Sequence, residues 1–127
     1  MSIPANLKYA EDHEWVRVEG DNAVIGITDF AQNQLGDIVF VELPEPGTEV
    51  APGKAVGSIE SVKAVNELFC PLSGTVTEVN TELENSPQSL NSDPYEAGWI
   101  FKIRLGKPAE LDGLMDADAY GDFTANG

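Results

Sequence analysis

An all-β domain with a few short helices is the fold class the sequence predicts, and three patterns predict it. Its apolar runs are short, rich in β-branched and aromatic residues, and separated by Gly, Pro, Asn and Asp, the punctuation of strands and turns. Two such runs, residues 59–62 and 65–68, flank Lys63 and read as a hairpin with one lysine at its tip. On either side of it a strand-turn unit recurs: Pro44-Glu45-Pro46-Gly47-Thr48 ahead of Val50, and Pro71-Leu72-Ser73-Gly74-Thr75 ahead of Val76. A sandwich with approximate twofold symmetry would produce such a repeat. At 127 residues the chain is one domain, 1–127, able to bury roughly two thirds of its unfolded surface.

In chain order, residues 7–9, 15–18 and 23–27 read as strands, the last two joined by the turn Gly20-Asp21-Asn22. Thr28 can cap a short helix that sets Ala31 and Leu35 on one face, and Gly36 is placed to end it. The unbroken apolar run 38–41 implies a strand buried on both faces. Residues 81–87 read as a short helical turn and loop. Alternation over 100–105 implies a half-buried strand with Lys102 and Arg104 facing outward. The core hairpins thus span about 22–105. Beyond Pro108, short helices over 109–115 and 117–123 form a C-terminal extension at about 108–123, packing on the sandwich through Leu111, Leu114, Met115, Tyr120 and Phe123.

Seven basic residues against twenty-two acidic ones give a net charge of −15, which repels both nucleic acid and anionic membranes. The same charge serves solubility, or steering toward basic faces on partners. No apolar run approaches the ~20 residues of a membrane span. Cys70 is the single cysteine, so no intrachain disulfide can form, and Met1-Ser2-Ile3-Pro4 lacks the features of a signal or transit peptide; cytoplasm is the expected location. His13 is the single histidine, so two-histidine metal sites and histidine relays lack their parts. Cys70 follows Leu68-Phe69 and precedes Pro71, the setting of an inert structural thiol. Trp15 and Trp99 read as packing residues.

A lysine amine free in water titrates near ~10.4, so it is a protonated non-nucleophile at neutral pH, and most turn lysines are simply solvated. An amide to a carboxylated cofactor would change that: the charge is lost and stem plus acyl chain become a tether suited to a group carrier.

Glu60-Ser61-Val62-Lys63-Ala64 resembles the lipoylation site of the glycine cleavage system H protein family. Six further segments are similar to that family in the same order: His13-Glu14-Trp15-Val16, Ile25-Gly26-Ile27-Thr28-Asp29, Leu35-Gly36-Asp37, Val41-Glu42-Leu43-Pro44, Pro71-Leu72-Ser73-Gly74, and Pro94-Tyr95 with Gly98-Trp99. The resemblance implies a flattened β-barrel sandwich of the lipoyl and biotinyl carrier type. It implies (R)-lipoate held covalently on Lys63 as lipoyllysine, with Glu60, Ser61, Val62 and Ala64 recognised by the lipoylating enzymes. It implies a monomeric carrier, not an enzyme. Such a carrier takes the aminomethyl group of glycine from the pyridoxal-phosphate glycine decarboxylase to the tetrahydrofolate-dependent aminomethyltransferase, and passes electrons to dihydrolipoamide dehydrogenase.

The cleft that shelters the loaded arm falls, by the same resemblance, at Asp12, Glu14, Glu67 and Cys70. Glu14 keeps the family's residue; Glu67 is a longer acid than the aspartate of the pattern, and Asp12 and Cys70 stand where it has small hydroxyl residues. Three alternatives remain at this stage. A biotinyl domain would resemble Met-Lys-Met where this chain has Val62-Lys63-Ala64; an H-like protein could donate lipoate to other acceptors; a cysteine-dependent hydrolase would use Cys70 with His13.

Overall fold

The computed structural model describes residues 3–126. Met1, Ser2 and Gly127, at the ends of the expected domain, lie outside them. Nine strands form two antiparallel sheets among the described residues. The larger runs β1-β2-β3-β9-β8-β5, from Lys8–Tyr9 (β1), Glu14–Glu19 (β2), Asn22–Ile27 (β3), Phe101–Leu105 (β9), Gly74–Val79 (β8) and Glu49–Val50 (β5). The smaller runs β4-β6-β7, from Ile38–Glu42 (β4), Ala55–Ser61 (β6) and Val65–Phe69 (β7). Val16, Ile25 and Ile103 of the larger sheet and Val41, Ile59 and Leu68 of the smaller are buried in one core, so the sheets form a flattened sandwich. No helix among the described residues is long and apolar enough to cross a membrane.

The two copies of the Pro/Gly unit lie against each other. Glu49 pairs with Thr75 and Val50 with Gly74, and the Gly47 and Val76 amides donate to Val76 O at 2.7 Å and Thr48 O at 2.9 Å. The repeated motif therefore builds the β5–β8 end of the larger sheet.

Local chemistry sets the first helix. Thr28 Oγ1 accepts the Ala31 amide at 3.2 Å, opening α1 (Asp29–Leu35), and Gly36 closes it, its N–H donating to Gln32 O at 3.0 Å. Short helices α2 (Glu82–Asn85) and α3 (Ser89–Ser92) lead into β9. A 3-10 turn, Pro108–Gly113, and α4 (Ala117–Asn126) follow it.

Three features differ from the sequence reading. The run 38–41 is not buried on both sides: Val39 is 50% and Phe40 49% exposed. β4 is an edge strand, irregular between Ile38 and Phe40, and the shift in register leaves both Val39 and Phe40 half exposed. The strand buried on both faces is β3, where every residue after Asn22 is buried. It lies between β2 and β9, with Ile25 in the main core and Val24 in a second cluster with Tyr9, Trp15 and Tyr120. Phe123 is 40% exposed rather than packed into the sandwich, because Tyr120, one turn earlier, takes the buried place. α3 had no counterpart in the reading.

Candidate functional site

β6 and β7 pair from Ala55 with Phe69 to Glu60 with Val65, and residues 62–64 turn between the two strands. Ser61 builds that turn. Its N–H donates to Ala64 O at 2.8 Å, and its Oγ accepts the amides of Lys63 and Ala64, each at 3.2 Å. The Val62 amide donates to Asp37 O at 3.0 Å, tying the tip to the corner between α1 and β4. Lys63 is exposed, as are Val62 and Val65, at 66% and 64%. Glu60 stands between Phe40 and Val65 in one cross-strand row. The tip thus offers one primary amine with a fixed backbone beneath it.

That corner has its own brace. Asn91 of α3 donates to Gly36 O at 2.8 Å and Gln32 Oε1 at 3.0 Å and accepts the Ile38 amide at 2.9 Å. One side chain satisfies groups from the end of α1 to the start of β4.

Beside the tip opens a cavity of about 880 Å³. α1 lines it with Phe30, Ala31 and Leu35; β6 and β7 with Ile59, Asn66 and Glu67; α4 with Asp122 and Phe123; and the turn into β2 with Asp12, His13 and Glu14. Asn66 is three residues from Lys63, so their Cα atoms lie within about 11 Å.

The turn into β2 is tight. His13 has a φ of 69°, the left-handed region that histidine enters more readily than most side chains. Its amide donates to Ala10 O at 3.0 Å, and the Ala10 amide donates to Glu14 O at 2.9 Å. His13 Nδ1 lies 2.8 Å from Tyr120 Oη, which lies 2.7 Å from Thr28 Oγ1. Thr28 Oγ1, which accepts the Ala31 amide, Tyr120 Oη and His13 Nδ1 thus form one continuous hydrogen-bonded chain. Burial lowers the pKa of His13 more than neighbouring Asp12 raises it, which favours the neutral ring. The ring faces Phe30 and Phe123 at centroid distances of 4.6 and 5.9 Å.

Glu14 is 3% exposed and its Oε1 has no hydrogen-bond partner. Burial, then a hydrogen bond to Asp12 and the like charge of Asp12, push its pKa up to about 11. Asp12, Glu14 and Glu67 meet at this cavity, whereas Cys70 is not in its wall. The Cys70 thiol is fully buried and donates to Leu72 O at 3.2 Å; burial pushes it up to about 12. That is the inert thiol its apolar flanks implied, unfit as a nucleophile for a hydrolase. Phe30, Phe123 and Asn91 were not singled out as site residues in the sequence, since none carries a local signal for the cavity or the brace. Among the described residues no cluster of metal-binding side chains occurs.

The family model described as Glycine cleavage H-protein matches residues 7–127. The glycine cleavage system H protein of Symbiobacterium thermophilum is 58% identical over 126 residues, covering 99% of this chain and 98% of the relative. That of Brevibacillus brevis is 58% identical over 120 residues, covering 94% and 95%. A crystal structure of a glycine cleavage system H protein from Mycobacterium marinum superposes with a TM-score of 0.86 at 37% identity, over 97% of this chain and 99% of that one.

Proposed function

The chain belongs to the glycine cleavage H-protein family, the non-catalytic carrier component of that system, and on that premise we propose that it carries (R)-lipoate in amide linkage on Nζ of Lys63. The observation that carries this reading is the exposed Lys63 on a turn whose amides Ser61 and Asp37 hold, beside a cavity with apolar walls and acidic groups. The fit is chemical: an acyl chain finds apolar surface at Ile59, Leu35 and Phe30, and an amine carried on it finds carboxyl groups at Asp12, Glu14 and Glu67. When bound, lipoate supplies a disulfide that accepts the aminomethyl group of glycine and a dithiol that passes electrons onward.

The chain's own residues present and shelter. The turn fixes where the lipoylating enzymes, the glycine decarboxylase, the aminomethyltransferase and dihydrolipoamide dehydrogenase each meet the arm. The cavity then holds the arm between them. An opposite charge at contact distance contributes about 4 kcal/mol where the effective dielectric is near 20, against about 1 kcal/mol in water. A partly dry cavity therefore favours an arm bearing a cationic amine over the neutral, unloaded one.

Intact mass after expression with lipoate supplied, followed by peptide mapping, tests the attachment. Wild type gains one lipoyl increment on Lys63 and Lys63→Arg gains none, since guanidinium is not acylated under these conditions. An increment on the arginine variant, or on Lys8, Lys54, Lys102 or Lys107, refutes the assignment.

A further inference from the structure

The Lys63 turn leans on the corner between α1 and β4, residues 36–38. Its Val62 amide donates to Asp37 O, and the Lys63 stem passes over Gly36. The sheet does not fix this corner by itself. The β4–β6 register shifts between Ile38 and Phe40, so the pair of Ile38 with Ser61, next to the tip, stands apart from the regular pairing of Phe40, Val41 and Glu42. Asn91 supplies what the ladder lacks. Its Nδ2 donates to Gly36 O at 2.8 Å and its Oδ1 accepts the Ile38 amide at 2.9 Å, so one planar amide grips the residues on both sides of Asp37. Its orientation is set in turn: Asp29 Oδ1 accepts Gln32 Nε2 at 2.6 Å, which presents Gln32 Oε1 to Asn91 Nδ2 at 3.0 Å. Behind Asn91 the base is firm. Leu90, its neighbour in α3, is fully buried in the main core, and Pro94 O, just beyond that helix, accepts the indole N–H of buried Trp15 at 2.9 Å.

We propose that Asn91 is a positioning residue for Lys63: by gripping Gly36 and Ile38 it fixes the Asp37 carbonyl that tethers the turn, and so sets where the amine stands when an enzyme acylates it. That the amine is acylated rests on the carrier reading; that Asn91 sets its place does not. The effect reaches the amine through three links, from Asn91 to the corner, from Asp37 O to the Val62 amide, and from Val62 to Lys63. Loss of the first link leaves the β6–β7 pairing intact, so the surface that an enzyme meets is kept. The turn then samples positions in which the amine misses the acyl group. A displacement of about 1 Å at a reacting atom costs up to about a hundredfold in rate, and a turn that spends part of its time in place loses less. The loss therefore falls on kcat and spares KM.

The test pairs amide hydrogen exchange with lipoylation kinetics on the unmodified full chain, using an ATP-dependent lipoate ligase with lipoate and ATP. In Asn91→Ala the Val62 amide should exchange about tenfold faster, while Ile59 and Leu68 change only as far as global stability does. Its kcat for lipoylation should fall about fivefold to tenfold with KM held within about twofold. Asn91→Asp, which keeps the acceptor for the Ile38 amide and loses both donors, is the second variant and should show both changes in the same direction. Val76→Ala is the control: it truncates a core side chain of β8 in the other sheet, so it should lower the denaturant midpoint and leave kcat as in wild type. Wild-type Val62 exchange or wild-type kcat in either Asn91 variant, a loss carried by KM alone, or an equal loss of kcat in Val76→Ala overturns the proposal. A wild-type chain that takes no lipoyl group on Lys63 sinks the carrier reading instead, and Val62 exchange then decides whether Asn91 holds the turn.

Discussion

Gly36 lies directly beneath Lys63: a Cβ on Gly36 would stand 2.9 Å from Lys63 Cε. The exposed lysine stem therefore passes over the end of α1. Gly36 has a φ of 78° and a ψ of −155°, a backbone region that is essentially glycine's alone. Gly36→Ala should lower unfolding free energy by about 1–3 kcal/mol. Its lysine stem can swing aside, so acylation should continue in the folded fraction. Denaturant titration alongside a mass-spectrometric time course checks both halves of this expectation.

Ser61 acts on the same lysine from the other side. Ser61→Ala removes the acceptor for the Lys63 and Ala64 amides, and water at the exposed tip replaces it only in part. A loss of about 0.5–1.5 kcal/mol is expected. Hydrogen exchange should quicken at those two amides and hardly at all at Ile59 or Leu68, and lipoylation should slow.

Glu14 gives the stability of the fold a pH dependence of definite sign. Its pKa is about 11 in the fold against 4.5 for the free group, so between those values the folded chain binds more protons than the unfolded one. Its contribution is complete below 4.5 and is lost as pH rises toward 11, by as much as about 1.4 kcal/mol per pH unit. Glu14→Gln should remove that slope and be the more stable protein at alkaline pH. Denaturant midpoints of the two chains across pH read the difference directly, since the net charge of −15 weighs on both almost equally.

Cys70 should resist alkylation at neutral pH, with its thiol fully buried and held near 12. Modification by iodoacetamide should follow opening of the fold, rising with denaturant in step with the unfolded fraction. Rapid stoichiometric labelling of the native chain would contradict this burial.

What was legible in the sequence was local. Thr28 and Gly36 announce the ends of α1 by capping chemistry confined to a few residues, and the alternation of Phe101, Lys102, Ile103 and Arg104 carries its own orientation. The Lys63 turn and the paired Pro/Gly units were legible for the same reason. What the chain covers from a distance was not. Val39 and Phe40 read as two-sided core because an apolar run does not disclose an edge position, while β3 is covered by elements far from it in sequence. The site divides likewise. Lys63 lies on a recognisable tip, but an unpartnered Glu14 oxygen, the left-handed His13 and the exclusion of Cys70 from the cavity depend on how β2, α1 and α4 close together.

Among the described residues, the order β1-β2-β3-β9-β8-β5 makes residues 101–105 the only bridge between the two halves of the larger sheet. A chain growing from its N-terminus has already made every other strand by then, and until β9 emerges both β3 and β8 carry unpaired edges. The half-built molecule cannot close its shared core, and its raw edges are the surfaces through which incomplete chains associate.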